Sequence, residues 1–354
     1  MKYKLLSFIV HRSSFILTFT LFKNVCGMKC FFTLVILYLS FATALSAQQA
    51  PQYSLFMLNP YAINPAYAGL ENTLVVTGVY RQQWSGLKGA PVTQHINAHL
   101  PLYIIRSGVG LKVENDAIGA HRTTQALLSY DYQIELGRSA LLSIGASAGY
   151  RQYALDGDKL RAPQGTYVEP GGVLSHADDY LPEGKVQAGT PVFEVGVYLQ
   201  ARALELGAAI QPVFAPVLQA GGAEAFQLQP IRQYLFSAAY VIGAGENVKI
   251  KPAMLVKSDA RETQMELSTM IRWRENIFVG GSFRGFTRTA KDAAVVLAGL
   301  KINEKTTLAY AFDIPLSPLN TVNRGSHELL LRYSLNQPIG VGKLPPVIYN
   351  PRFF

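Results

Sequence analysis

Apolar and polar residues alternate with a period of two over unusually long stretches of this chain, and that length limits what it can become. In 92–102 the residues Val92, Gln94, Ile96, Ala98, Leu100 and Leu102 share one face, and Thr93, His95, Asn97 and His99 share the other. In 263–275 one face holds Met265, Leu267, Ile271 and Trp273, the other Gln264, Glu266, Ser268, Met270 and Arg272. Ala126, Leu128, Tyr130, Tyr132, Ile134 and Leu136 face away from Gln125, Ser129, Asp131, Gln133 and Glu135 in 124–136. A helix would scatter these side chains around its circumference, whereas a strand sorts them into two faces. Strands of soluble sheets average about 5 or 6 residues. Tilted strands that cross a bilayer need about 9 to 11.

The same signal predicts strands at 74–84, 92–102, 107–117, 123–136, 139–155, 191–203, 204–215, 231–243, 247–258, 263–275, 276–286, 293–303, 304–314 and 326–335. Most joints between them are short and turn-like, as at Gly137 and Glu275-Asn276, and aromatics gather near strand ends (Tyr80, Trp84, Tyr103, Tyr150, Tyr153, Trp273, Phe283, Phe286, Tyr333). A soluble sandwich also alternates, but it does not call for strands this long in a continuous ladder of hairpins. In lipid every backbone donor and acceptor must be paired internally, so such a sheet closes on itself. The expected fold is therefore all-β: a transmembrane outer-membrane β-barrel of about 14 antiparallel strands. Two stretches interrupt the rhythm, 156–190 and 219–230, and long loops of this kind favour the extracellular side.

The compartment is read from the first 47 residues. Met28-Lys29, the apolar run 30–41 and the small-residue stretch 42–47 form a signal-peptide pattern, with Met28 as a natural start. The apolar run is short for a membrane-spanning helix, which needs about 20 residues. Cys26 and Cys30 are the two cysteines of the chain, so export leaves no disulfide framework. The formal net charge of +9 resides largely in the leader, which holds five of the 32 basic residues and none of the 23 acidic ones. What remains is close to balanced and makes no case for nucleic acid. The organisation expected is a leader over 1–47, an N-terminal plug or docking segment over 48–72, a barrel over 73–335 and a tail over 336–354.

Residues 51–69 carry two Asn-Pro pairs, Asn59-Pro60 and Asn64-Pro65, and Gly69, which forbid a long helix or a central strand. Yet Tyr53, Phe56, Met57, Leu58, Tyr61, Ile63 and Tyr67 are too apolar for a solvated tail. Two placements satisfy them: inside the barrel lumen, limiting passage, or as a cap over one barrel end.

The run Asn59 to Gly69 resembles the N-terminal signature of the PorP/SprF family of Bacteroidetes outer-membrane proteins. Arg81-Gln82-Gln83-Trp84 with Gly86 and Pro91, Gly325-Ser326-His327-Glu328 before the last strand, and Pro351-Arg352-Phe353-Phe354 are similar as well. The resemblance implies a non-catalytic component of type IX secretion. Its implied partners are outer-membrane lipid, secreted cargo of the gliding-adhesin type, and periplasmic secretion-ring or peptidoglycan-linked subunits. The residues expected to serve partner binding are Tyr53, Phe56, Asn59, Pro60, Asn64, Pro65, Tyr67, Arg81, Trp84, His327 and Glu328. A passive channel or solute transporter is the competing expectation.

Chemistry is otherwise sparse. His95 and His99 share a strand face but lack an evident third metal ligand, and His327-Glu328 project to opposite faces of a strand. There is no P-loop, nucleophile elbow or dinucleotide fingerprint, so no cofactor and no catalytic residue is expected. The polar strand faces mix Arg81, Lys112, Glu114, Asp131, Glu194, Lys251, Glu266, Arg272, Arg284, Glu328 and Arg332, a pattern suited to internal ion pairs rather than to one-signed ion selectivity.

Overall fold

The computed structural model describes residues 51–137, 139–168, 172–178, 181–219, 227–285 and 292–337. The expected leader, Phe286 and the Pro351–Phe354 motif lie outside the described residues. So does most of the tail.

Fourteen strands form one closed antiparallel barrel. They are β1 Val75–Gln82, β2 Val92–Leu102, β3 Ser107–Ile118, β4 His121–Glu135, β5 Ala140–Asp156, β6 Lys185–Ala201, β7 Leu204–Gln211, β8 Gln233–Tyr240, β9 Val248–Ser258, β10 Thr263–Trp273, β11 Ile277–Arg284, β12 Ala293–Lys301, β13 Thr306–Pro315 and β14 Ser326–Ser334. Each pairs with its neighbours in sequence, and β1 returns to β14 in the register Val79↔Leu330. That last ladder removes both sheet edges, which lipid would leave without hydrogen-bond partners. A short extra pairing, Ile242–Gly243, adds to β9. No described helix is long and apolar enough to cross a membrane.

The longest joints all lie at one end of the barrel. Turns 103–106, 136–139, 202–203, 274–276 and 302–305 are short and lie at the end where β1 begins and β14 finishes. The longer connections 83–91, 157–184, 212–232, 285–292 and 316–325 all lie at the opposite end, which also carries the short turns 119–120 and 259–262. Arg274 and Glu275 both adopt positive φ (48° and 60°), the tight hairpin geometry whose twist matches that of its flanking strands. Asn276 N–H closes that turn onto Trp273 O at 3.2 Å.

The period-two faces are resolved as an inside-out pattern. On β2, Thr93, His95, Asn97 and His99 are buried inside while Ile96 is 53% exposed on the outer wall. On β10, Glu266, Ser268, Met270 and Arg272 face in, and Leu267, Ile271 and Trp273 face out. Leu128, Tyr130 and Tyr132 continue the outer belt on β4. Strand bounds shift by up to a few residues from the sequence reading, most of all in β6 and β7. β6 begins at Lys185 rather than 191, because the Pro191 position still pairs, with Tyr150, as part of a long β5–β6 ladder. β7 ends at Gln211, before Pro212, which has no N–H to continue the ladder. Tyr103 and Tyr153, expected near the aromatic rims, are buried (8% and 9%), with the Tyr103 hydroxyl donating to Asn72 O.

Candidate functional site

The interior of the barrel is occupied by residues 51–74 of the same chain. Three single helical turns, Phe56–Leu58, Pro60–Ile63 and Pro65–Tyr67, are separated at Asn59 and Asn64. Pro60 and Pro65 each start a turn, where the missing N–H costs nothing. Asn64 Oδ1 accepts from Ala66 N at 2.9 Å and caps the last turn. Its Nδ2 bonds the wall carbonyls of Val197 (2.9 Å) and Ala208 (3.2 Å), between β6 and β7. Asn59 spends its side chain on the wall too, accepting from Asn97 Nδ2 at 2.9 Å. The Asn-Pro pairs thus break the helix and tie each break to the barrel.

This plug runs from one end of the lumen to the other. Near the long-connection end, Gln52 Oε1 accepts from Arg284 Nη1 (3.0 Å), at the last residue of β11. At the short-turn end, Thr73 Oγ1 donates to Gln337 O at 3.0 Å and Leu335 N–H donates to Leu74 O at 2.9 Å.

Around Ser54 a buried charge network holds the upper plug. Glu328 accepts from the N–H groups of Ser54 (2.7 Å) and Leu55 (3.0 Å) and from Arg81 Nη1 (3.0 Å). Arg81 Nη2 reaches Asp313 at 2.7 Å, and Arg284 bridges Asp313 (2.9 Å) and Glu266 (2.8 Å). Ser54 Oγ donates to Asp313 Oδ1 at 2.7 Å and accepts from Arg284 Nη2 at 2.8 Å. Removing one partner of a buried ion pair costs about 3–5 kcal/mol because the other charge is left uncompensated. Loss of any one member would therefore leave charge uncompensated between plug and wall.

A second anchor holds the lower plug. Arg332 pairs with Glu71 and donates to Leu58 O at 3.0 Å. Gly69 N–H donates to His99 Nδ1 (3.2 Å), leaving His99 Nε2 to carry the proton 3.6 Å from Glu71 Oε1. The rings of Tyr61 and Tyr67 stand edge-on to His99, at 5.0 and 6.0 Å.

Between the anchors the contacts divide by side. Leu55, Phe56, Met57, Leu58 and Ile63 pack against Val79, Leu235, Leu255, Met270, Phe278, Val295, Leu297 and Leu330 of the wall, so one flank of the lumen is a hydrophobic core. Such inward Leu, Met and Phe residues would be out of place in a water-filled pore. On the opposite flank the plug backbone lies almost on the strands. A Cβ on Gly145 would fall 2.5 Å from Ala66 Cα, and one on Gly108 would fall 2.1 Å from Ala68 O. Gly110 makes room for the Tyr61 hydroxyl, which donates to Ser129 Oγ at 2.7 Å.

Of the expected residues, Tyr53, Phe56, Asn59, Pro60, Asn64, Pro65, Tyr67, Arg81 and Glu328 are all buried inside the barrel, and Arg81 and Glu328 meet at Ser54. Tyr53 donates its hydroxyl to Glu114. Trp84 and His327 do not join them. Trp84 is half-buried at the long-connection end, its backbone N–H donating to Ser326 Oγ at 3.1 Å. His327 projects to the outer side and contacts Tyr310 Oη at 2.6 Å. His95 engages Glu114 at 3.3 Å, so the two strand histidines take separate partners. No described group of three His, Cys, Asp or Glu is arranged to hold a metal. Ser54, Glu71 and Asp313 were missed by sequence reasoning. The signal that could have found Asp313 is an acidic residue at an inward strand position, next to the unbalanced arginines of β1 and β11.

The fold and its contents define a class: a closed outer-membrane barrel, its wall greasy outside, plugged by the segment that precedes its first strand. Residues 45–333 match the family model of the type IX secretion system membrane protein PorP/SprF, and the chain belongs to that family. It is thus an outer-membrane component of type IX secretion. Among curated proteins nothing matches. Solved structures similar to this chain include the Acinetobacter baumannii outer membrane protein Omp33, with 10% identity, a TM-score of 0.42, and coverage of 74% of this chain and 98% of that one. The Ralstonia pickettii toluene transporter TbuX has 12% identity and a TM-score of 0.47, covering 79% of this chain and 92% of that one.

Proposed function

We propose that this barrel is a non-catalytic docking component that keeps its lumen shut while it holds secreted cargo of the gliding-adhesin type, periplasmic secretion-ring or peptidoglycan-linked subunits, or both. The observation that carries this reading is the plug, fixed at both ends and packed along one flank against inward apolar side chains. A solute channel needs a free path, and the plug stands in it. In this reading Tyr53, Phe56, Asn59, Pro60, Asn64, Pro65, Tyr67, Arg81 and Glu328 serve partner binding indirectly, by holding the wall in one shape. Trp84 and His327, outside that interior, touch the partner directly, together with the long connections. The leader over 1–47 is proposed to direct export and to be removed.

Two measurements test it. Purified full-length barrel in planar bilayers should show no steady open state, and a variant with 51–69 deleted should conduct. In cells, loss of the chain should abolish surface display of its cargo, and a folded variant shortened in the 157–184 connection should fail to restore it. Steady conductance of the intact protein, or unaltered cargo display without it, refutes the proposal.

A further inference from the structure

The plug has a direction, and the direction carries a consequence for membrane topology. Its amino end is level with the rim that carries the long connections: Gln52 meets Arg284 (3.0 Å), the last residue of β11 before the connection 285–292, and Gln264 (3.3 Å) at the start of β10, and Gln264 in turn donates to Asp292 at 2.6 Å. Its carboxy end meets the opposite rim, where Leu74 O accepts from Leu335. Outer-membrane barrels keep short turns on the periplasmic side and longer loops outside. Pro51 is half-exposed, and Ser54 just below it is fully buried. We infer that Pro51 opens onto the cell surface, so that the polypeptide traverses the membrane level once inside its own barrel before β1 begins. The external mouth then presents the amino end of the plug, framed by the long connections, as part of the surface that anything arriving from outside would meet. The inference holds or fails independently of cargo docking, since it concerns only which side Pro51 faces.

The chain offers a clean probe, because Cys26 and Cys30 are its two cysteines and both precede the plug. Pro51→Cys, Asp158→Cys in the longest connection and Lys305→Cys in a short turn would be made in the full chain. Intact cells would be treated with a membrane-impermeant maleimide, the unmodified chain giving the background. Pro51→Cys and Asp158→Cys should label on intact cells, and Lys305→Cys only after the outer membrane is permeabilised. Should the Pro51→Cys thiol stay unlabelled under both conditions, a short epitope inserted between Ala50 and Pro51 decides, by antibody binding to intact cells. Labelling or antibody access at this end only after permeabilisation overturns the inference, as does a reversed pattern for Asp158→Cys and Lys305→Cys.

Discussion

At the scale of single residues, the lower anchor ties the plug to the wall through one buried carboxylate. Glu71 pairs with Arg332, and Arg332 in turn donates to Leu58 O at 3.0 Å, so a single side chain of β14 holds the plug at two points. Glu71→Gln should lower the resistance of the barrel to heat unfolding, read by its gel mobility shift, by about 1.5–3 kcal/mol, the usual worth of a hydrogen bond to a charged group. An unchanged melting profile in the variant shows that the lower anchor adds nothing to the stability of the folded barrel.

The elements show why some of this molecule could be read directly and some could not. Strand period is a local property, so β2, β9, β10 and β12 fall where alternation in the sequence places them. A plug was legible as a need for burial, since seven apolar side chains sat in a segment that prolines barred from helix and sheet. Its route was not legible, because contacts such as Asn64 to Val197 and Ala208 join positions far apart in the chain. Nor were its seats: Gly108, Gly110, Gly145 and Gly196 look like weak strand residues in sequence, and become close-approach sites only when the plug lies on them. This account predicts a specific defect. Gly145→Val should force Ala66 off β5 at a cost of about 1–3 kcal/mol, as overpacking usually does. The barrel should still insert, melt earlier and conduct intermittently. Gly137→Val, in a turn with nothing within 4 Å of its Cβ position but a φ of +87°, should strain the turn without opening the lumen. Equal conductance from both variants refutes the seat.

Over the whole molecule, the outer wall marks where lipid begins and ends. Tyr132, Tyr240, Trp273 and Tyr333 are exposed toward the short-turn end, and Tyr80 and Tyr150 are exposed toward the other. Level with this second belt runs a polar row across three strands, with Asn115 donating to Gln94 (3.3 Å) and Thr124 donating to Asn115 (3.2 Å). Amides and hydroxyls that satisfy one another side by side suit the headgroup layer, where water and lipid phosphate begin. Leu128 lies two outward positions below Thr124 and is 68% exposed, which puts it in hydrocarbon. A charge at the bilayer midplane costs about 2–4 kcal/mol, and one near the interface about 0–1. Leu128→Arg should accordingly reduce folding stability in lipid vesicles by about 2–4 kcal/mol, and Gln94→Arg by less than about 1. Neither residue touches the plug, so both variants should remain closed in planar bilayers. If the two arginines prove equally harmless, the greasy wall is not in lipid, and the balance between outer belt and inner plug described above no longer holds.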